Sequence, residues 1–288
     1  MESQYQAKLF HRLGRGIELT DAGRLFLAEA RAVLARAEAA EQALIELGQL
    51  KRGRLSVQAS QTIASYWLPR HLVAYRSSWP AIDIRLSIGN TAQVARAVSE
   101  GVAELGFVEG VVDDPALTGI VIARDRLILV VHPDHKWAGR PVSIQEACDS
   151  EWVLREPGSG TRSEFEAALR RVGIDPRTLS VALELPSNES VRAAVEAGAG
   201  ATVISASVAA PAIEAGLLAQ AGLDLPERTY QALLHRERSR SHSAEMLLRL
   251  IGVVDQRQPT GALRSVSQRT VESGRGPTPP SSDRGGLP

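Results

Sequence analysis

Arg155-Glu156-Pro157-Gly158-Ser159-Gly160-Thr161-Arg162 follows the apolar run Trp152-Val153-Leu154 and leads into the helical spacing of Phe165, Leu169 and Val172. The pattern predicts a buried strand, a glycine-rich turn and a helix from Arg162 to Gly173. Thr161, with Glu164 three residues on, reads as a capping box at the helix start. Two glycines let the backbone approach a partner, and the first N–H groups of a helix have no internal acceptor. With the helix dipole and the hydroxyls of Ser159 and Thr161, these donors form a seat for a small anion. The competing reading is an ordinary threonine-capped turn between strand and helix.

The chain repeats the arrangement. Ser60-Gln61-Thr62 lies between the strand-like Leu55-Ser56-Val57 and a helical run from Ile63 to Tyr75. Asn90-Thr91 follows the alternating strand Ile82 to Ile88, with Asn90 and Gln93 giving a second capping signal and Gly101 a stop. In the second half, Ser187-Asn188-Glu189 follows Val181 to Leu185, and its helix stops at Gly198. The separation from Ser60 to Asn90 nearly equals that from Ser159 to Asn188. Each half therefore reads strand, polar turn, helix, strand, polar turn, helix, strand. Two such α/β lobes place a ligand site between their strand ends, with Ser60, Thr62, Asn90, Thr91, Ser159, Thr161, Asn188 and Ser205 as candidate contacts to a small anionic effector.

A chain of 288 residues suits two lobes with appendages, and 44% hydrophobic with 23% charged residues is the composition of a globular protein. A formal net charge of +0 provides no global field toward nucleic acid or membrane. Cys148 is the single cysteine, which excludes an intrachain disulfide and fits a reducing compartment. The polar start and the lack of a long apolar run predict a cytoplasmic protein with no membrane contact.

Residues 1–20 are too short for a domain and read as a helical end followed by a hairpin turned at Gly14-Arg15-Gly16, where Arg12 and Arg15 are placed to meet phosphate oxygens. Thr20 then caps a proline-free helix from Asp21 to about Lys51, roughly 45 Å long. Phe26, Ala30, Val33, Ala37, Ala40, Leu44 and Leu47 step by four and three along one face, a dimerisation seam in preference to a face packed back on its own lobe. Residues 54–124 and 228–254 are predicted to form lobe I and 125–227 lobe II. The β-branched run from Ile120 to Val131 and the strand Arg228 to Leu234 provide two crossings that make a hinge. Ser243 to Leu250 forms the last helix, and residues 255–288 read as a disordered tail.

Catalytic constellations are missing. Ser159 is not in a G-x-S-x-G elbow, no glycine turn carries a Walker lysine, and His132 with His135 has no third metal ligand nearby in sequence. Ser, Thr and Asn at the turns bind well and are poor acids and bases, so neither an enzyme nor a metal or cofactor site is expected.

Lys8-Leu9-Phe10-His11-Arg12, then Ile17-Glu18-Leu19-Thr20-Asp21-Ala22-Gly23 and the long helix resemble the end of the winged helix-turn-helix and the linker helix of a LysR-type transcriptional regulator. The remainder, to about residue 252, resembles that family's effector domain. Arg155 to Arg162, Gly106-Phe107-Val108-Glu109-Gly110 and Glu184-Leu185-Pro186-Ser187-Asn188-Glu189 look closest to the cysteine-biosynthesis and carbon-fixation regulators. The resemblance implies an α/β, two-lobed fold of the type II periplasmic-binding-protein kind, preceded by a linker helix and a remnant of the winged module. It also implies a homodimer or homotetramer that responds to a small metabolite and controls a promoter. The family's two leading helices and most of its recognition helix have no counterpart before Glu2, so promoter DNA is expected as a partner only with those helices restored, for instance from an upstream start. The other reading is a cytoplasmic solute-binding protein with the same lobes.

Overall fold

The structure is a computed structural model that describes residues 2–13, 16–47, 53–146 and 150–253. A short helix α1 (Glu2–Tyr5) precedes the hairpin of β1 (Phe10–Leu13) and β2 (Gly16–Leu19), paired in register from Phe10–Leu19 to Leu13–Gly16. Thr20 ties this hairpin to the next helix, donating from Oγ1 to the Lys8 carbonyl at 2.6 Å and accepting from Gly23 N at 2.9 Å. A Cβ at Gly23 would lie 2.0 Å from the Leu9 carbonyl oxygen, so only glycine fits here. Arg15 lies outside the described residues, as does the side chain of Arg12.

Helix α2 (Asp21–Leu47) has 27 residues, about 40 Å at 1.5 Å per residue. The expected extension to Lys51 falls on residues outside those described. Along the seam, Phe26 is 41% and Val33 66% exposed, Ala37 and Ala40 are exposed, and Ala30 is partly covered. The side chains of Leu44 and Leu47 lie outside the described set. Leu25 and Leu34 add to the open apolar face beside the seam. Arg31 Nη1 lies 4.0 Å from Glu100 Oε2 of lobe I.

Lobe I is a five-stranded sheet. Its strands are β3 (Gly53–Ser60), β4 (Ile82–Gly89), β5 (Leu105–Glu109), β6 (Leu117–Asp125) and, after the excursion through lobe II, β12 (Arg228–His235), in the order β4-β3-β5-β12-β6. β3 runs parallel to β4 and β5, whereas β12 is antiparallel to β5 and β6. Helical residues begin at Gln61, pass through a π turn at Ile63–Trp67 and continue as α3 (Leu68–Ser78), so Thr62 sits inside the first turn. α4 (Thr91–Glu100) packs on the opposite face. Asn90 and Gln93 form its reciprocal capping box, and it stops at Gly101 with φ 81°.

The run from Ile120 to Val131, read from sequence as a crossing to lobe II, is formed by two strands that meet at Arg126. β7 (Leu127–Val131) starts lobe II. β8 (Glu151–Arg155) and β9 (Ser180–Leu185) pair in parallel. β10 (Thr202–Ser205) and β11 (Ala219–Ala221) flank β7 in antiparallel fashion. A bridge at Trp152–Ala201, with Val153 N donating to the Ala201 carbonyl at 2.9 Å, joins the two sets in the order β9-β8-β10-β7-β11. That order repeats the lobe I pattern: a parallel pair, a third strand, then antiparallel neighbours. All five β7 residues are buried; Leu127, Leu129 and Val131 pack in one core, Ile128 and Val130 in the other. A strand buried on both faces gives a continuous apolar run, not an alternating one. Helices α5 (Gly160–Arg171), α6 (Asn188–Glu196) and α7 (Ala206–Glu214) cover this sheet, and α8 (His242–Leu250) returns to lobe I. Tyr75 Oη of α3 donates to the Ser243 carbonyl at 2.9 Å beneath α8. The predicted tail lies outside the described residues. No helix among the described residues is long and apolar enough to cross a membrane.

Candidate functional site between the lobes

The parallel strands β3, β4, β8 and β9 all end at the contact between the lobes, and the next helices start there. Ser60 is the last residue of β3, opposite Gly89 of β4. Asn90 caps α4, Ser159 is the N-cap of α5, Ser187 caps α6 and Ser205 caps α7. Ser60, Thr62, Ser159, Thr161, Asn188 and Ser205 are all at most 3% exposed. Burial this complete demands hydrogen-bond partners.

For Thr62 and Asn188 those partners lie across the lobes. Asn188 Nδ2 donates to Thr62 Oγ1 at 3.0 Å, and Asn188 N donates to Gln61 Oε1 at 2.7 Å. Gln61 Nε2 donates to Glu189 Oε2 at 2.8 Å. Asn90 Nδ2 donates to Glu156 Oε1 at 3.1 Å, and Ala92 N donates to the Gly158 carbonyl at 3.2 Å. Thr91 is pressed against the start of α5, because a Cβ at Gly160 would stand 2.5 Å from Thr91 Oγ1 and 2.9 Å from the Glu109 carbonyl oxygen.

Two buried arginines hold these groups in place. Arg155 Nη1 donates to Asn188 Oδ1 at 2.6 Å, while Arg155 Nε and Nη2 clamp Glu156 at 2.8 Å and 3.0 Å. Arg228 Nη1 donates to Thr161 Oγ1 at 2.9 Å and Nε to Asp125 Oδ2 at 2.7 Å; Nη2 makes an ion contact of 2.6 Å with that oxygen without hydrogen-bond alignment. Ser205 Oγ donates to Asp125 Oδ1 at 2.8 Å. Burial, then the Asp125 charge, pushes the neighbouring Tyr230 hydroxyl well above the ordinary phenol value. Ser60 Oγ is buried with no hydrogen-bond partner among the described residues.

Thr161 is therefore not the cap of α5. The helix begins at Gly160, Ser159 holds the N-cap position without a side-chain cap bond, and the Thr161 hydroxyl is turned to Arg228. The capping-box pattern misled because a buried guanidinium competes for the hydroxyl. The residues that sequence reasoning missed are Gln61, Glu109, Asp125, Arg155, Glu156 and Arg228. Arg155 and Glu156 lie inside the glycine-rich turn after β8, but an adjacent acid and base look like a solvated pair. Asp125 and Arg228 are 103 residues apart in the chain, and nothing local joins them.

The LysR substrate binding domain family matches residues 48–253. The HTH-type transcriptional regulator YeiE of Escherichia coli (strain K12) is 31% identical over 250 residues, covering 86% of this chain and 83% of that protein. The HTH-type transcriptional regulator Rv2282c of Mycobacterium tuberculosis (strain ATCC 25618 / H37Rv) is 35% identical over 274 residues, covering 92% and 83%. Among solved structures, the Synechocystis PCC6803 CcmR regulatory domain in complex with 2-PG superposes with a TM-score of 0.64 at 25% identity, over 72% of this chain and 99% of that one. A family match across both lobes and relatives similar over most of their length give one result: the chain belongs to the LysR family and is a LysR-type transcriptional regulator with an effector-binding domain.

Proposed function

We propose that this regulator responds to a small anionic metabolite held between its lobes, with Ser60, Thr62, Asn90, Thr91, Ser159, Thr161, Asn188 and Ser205 around it. Ser60 Oγ carries the reading: it is a hydroxyl buried at a strand end where helix starts gather, with no partner among the described residues. A buried polar atom left unpaired costs stability unless something else satisfies it. Uncapped helix N–H groups at α5 supply donors and a favourable dipole for an anion. The CcmR regulatory domain in complex with 2-PG supports a small-molecule ligand for this fold. Effector binding shifts the balance between lobe arrangements by its unequal affinity for them.

The protein works in the cytoplasm as a homodimer or homotetramer through the open face of α2, with no resident cofactor and no catalytic step. Its output is promoter binding, in which Arg12 and Arg15 of the hairpin meet DNA phosphates. The test is thermal shift of the full chain with sulfate, phosphate and a panel of small organic acids. A melting increase with at least one acid, reduced in Thr161→Ala, supports the reading. No response to any of them overturns it.

A further inference from the structure

Both buried cations at the lobe contact are already matched. Arg228, with no exposed side-chain surface, is paired with Asp125 at 2.6–2.7 Å, and Arg155 is clamped on Glu156 at 2.8–3.0 Å. Glu109 is a buried carboxylate with no ion pair among the described residues. It ends β5, is 3% exposed, and has one polar side-chain partner among the described residues, Thr91 Oγ1, at the long distance of 3.4 Å. Its backbone and Cβ border Gly160 at the start of α5. The β3–β5 register reaches Ala59–Phe107; beyond it Ser60 ends β3 opposite Gly89 of β4, and Val108 and Glu109 end β5 opposite Gln231 and Tyr230 of β12. The unpartnered Ser60 hydroxyl and the under-partnered Glu109 carboxylate thus stand at the ends of two neighbouring strands of lobe I.

A buried carboxylate demands a cation or several donors. It also repels any second anion nearby far more strongly than it would in water. A multiply charged anion placed among Ser60, Thr91 and Thr161 meets helix N–H donors but adds to the unmatched charge of Glu109. An acid with an adjacent ammonium or hydroxyl avoids this: its carboxylate takes the helix donors and its own donor answers Glu109. We infer that Glu109 makes this cleft selective for an amino or hydroxy acid with a net charge no more negative than minus one, and against sulfate-like or dicarboxylate dianions. The inference rests on the cleft reading proposed above and narrows it to a chemical class, with Glu109 as the specificity-determining residue.

Isothermal titration of the full chain with serine, lactate and glycerate, against sulfate and succinate, decides it. Wild type is expected to bind at least one donor-bearing acid about tenfold or more tighter than either dianion, the effect of one buried charge-assisted contact. Glu109→Gln removes the negative charge and keeps the shape, so it should erase that preference mainly by strengthening dianion binding. Wild type ranking sulfate or succinate at or above every donor-bearing acid overturns the assignment of Glu109 alone. So does an unaltered ranking in Glu109→Gln. Silence across the whole set in wild type overturns both this assignment and the cleft reading beneath it. The wild-type ranking needs no variant, so the test survives even if Glu109→Gln does not fold.

Discussion

Asn188 touches Thr62 at 3.0 Å through one atom of its amide and Arg155 at 2.6 Å through the other, so a single side chain couples a lobe I helix to the buried cation of lobe II. Asn188→Ala removes both contacts and leaves a guanidinium and a hydroxyl short of partners inside the protein. The expected cost is about 2–4 kcal/mol, above that of a solvent-facing hydrogen bond because one partner is charged. Urea denaturation measures it. Small-angle scattering should show a more open pair of lobes, and an unchanged scattering profile would mean that Asn188 holds the fold without holding the lobes together.

Ser60→Ala should run the other way. Removing a buried hydroxyl that has no partner raises stability by up to about 1–2 kcal/mol while weakening the response to the effector. A melting temperature that rises together with a lost thermal shift is the expected pair of readings. A rise in melting temperature with full effector response would remove Ser60 from the binding set.

Arg228→Met leaves the Asp125 carboxylate, 6% exposed, without its cation, and takes a donor from Thr161. A loss of about 3–5 kcal/mol is expected in urea denaturation. Adding Asp125→Leu should recover part of it, since the uncompensated charge is then gone. A double variant worse than the sum of the singles would contradict this account.

Stability should fall on acidification. Burial holds the His71, His135 and His235 imidazoles below the ordinary value, helped by Arg70, by Lys136 with Arg140, and by Arg238 respectively. The unfolded chain therefore takes up protons more readily, and the native state loses ground as pH drops from about 6.5 toward each depressed folded value, below which the deficit stays constant. Urea midpoints between about pH 8 and pH 5 should slope accordingly, and replacing all three histidines with glutamine should flatten that slope.

The exposed apolar face of α2 predicts its own test. Phe26→Glu with Val33→Glu places charge on residues that are 41% and 66% exposed. Sedimentation velocity should show a shift toward monomer, with the melting of the two lobes unaltered. An oligomer that survives both charges does not use this face.

Much of this architecture can be read along the chain because its signals are local. The Asn90–Gln93 capping box and the Gly101 stop each depend on residues within a turn or two, and each occurs where the spacing puts it. The strand ends carrying Ser60, Asn90 and Asn188 were legible for the same reason. The assignment of Thr161 as a cap failed through a contact with Arg228, 67 residues away. The charges at the lobe contact were the least legible. Arg155, Glu156, Asp125, Arg228 and Glu109 gain their meaning only from three-dimensional neighbours, and as a sequence they look like ordinary surface residues.

The double crossing between the lobes limits how any message leaves their contact. The chain departs lobe I after Asp125 and re-enters at Arg228, and these two residues stand opposite each other on neighbouring antiparallel strands. Both connecting segments thus emerge at one spot, like the two leaves of a single door hinge. A joint of that kind resists sliding and stretching but yields to swing. A ligand that parted Asn188 from Thr62 would therefore reach the outer parts of the protein as a change of angle and not as a displacement.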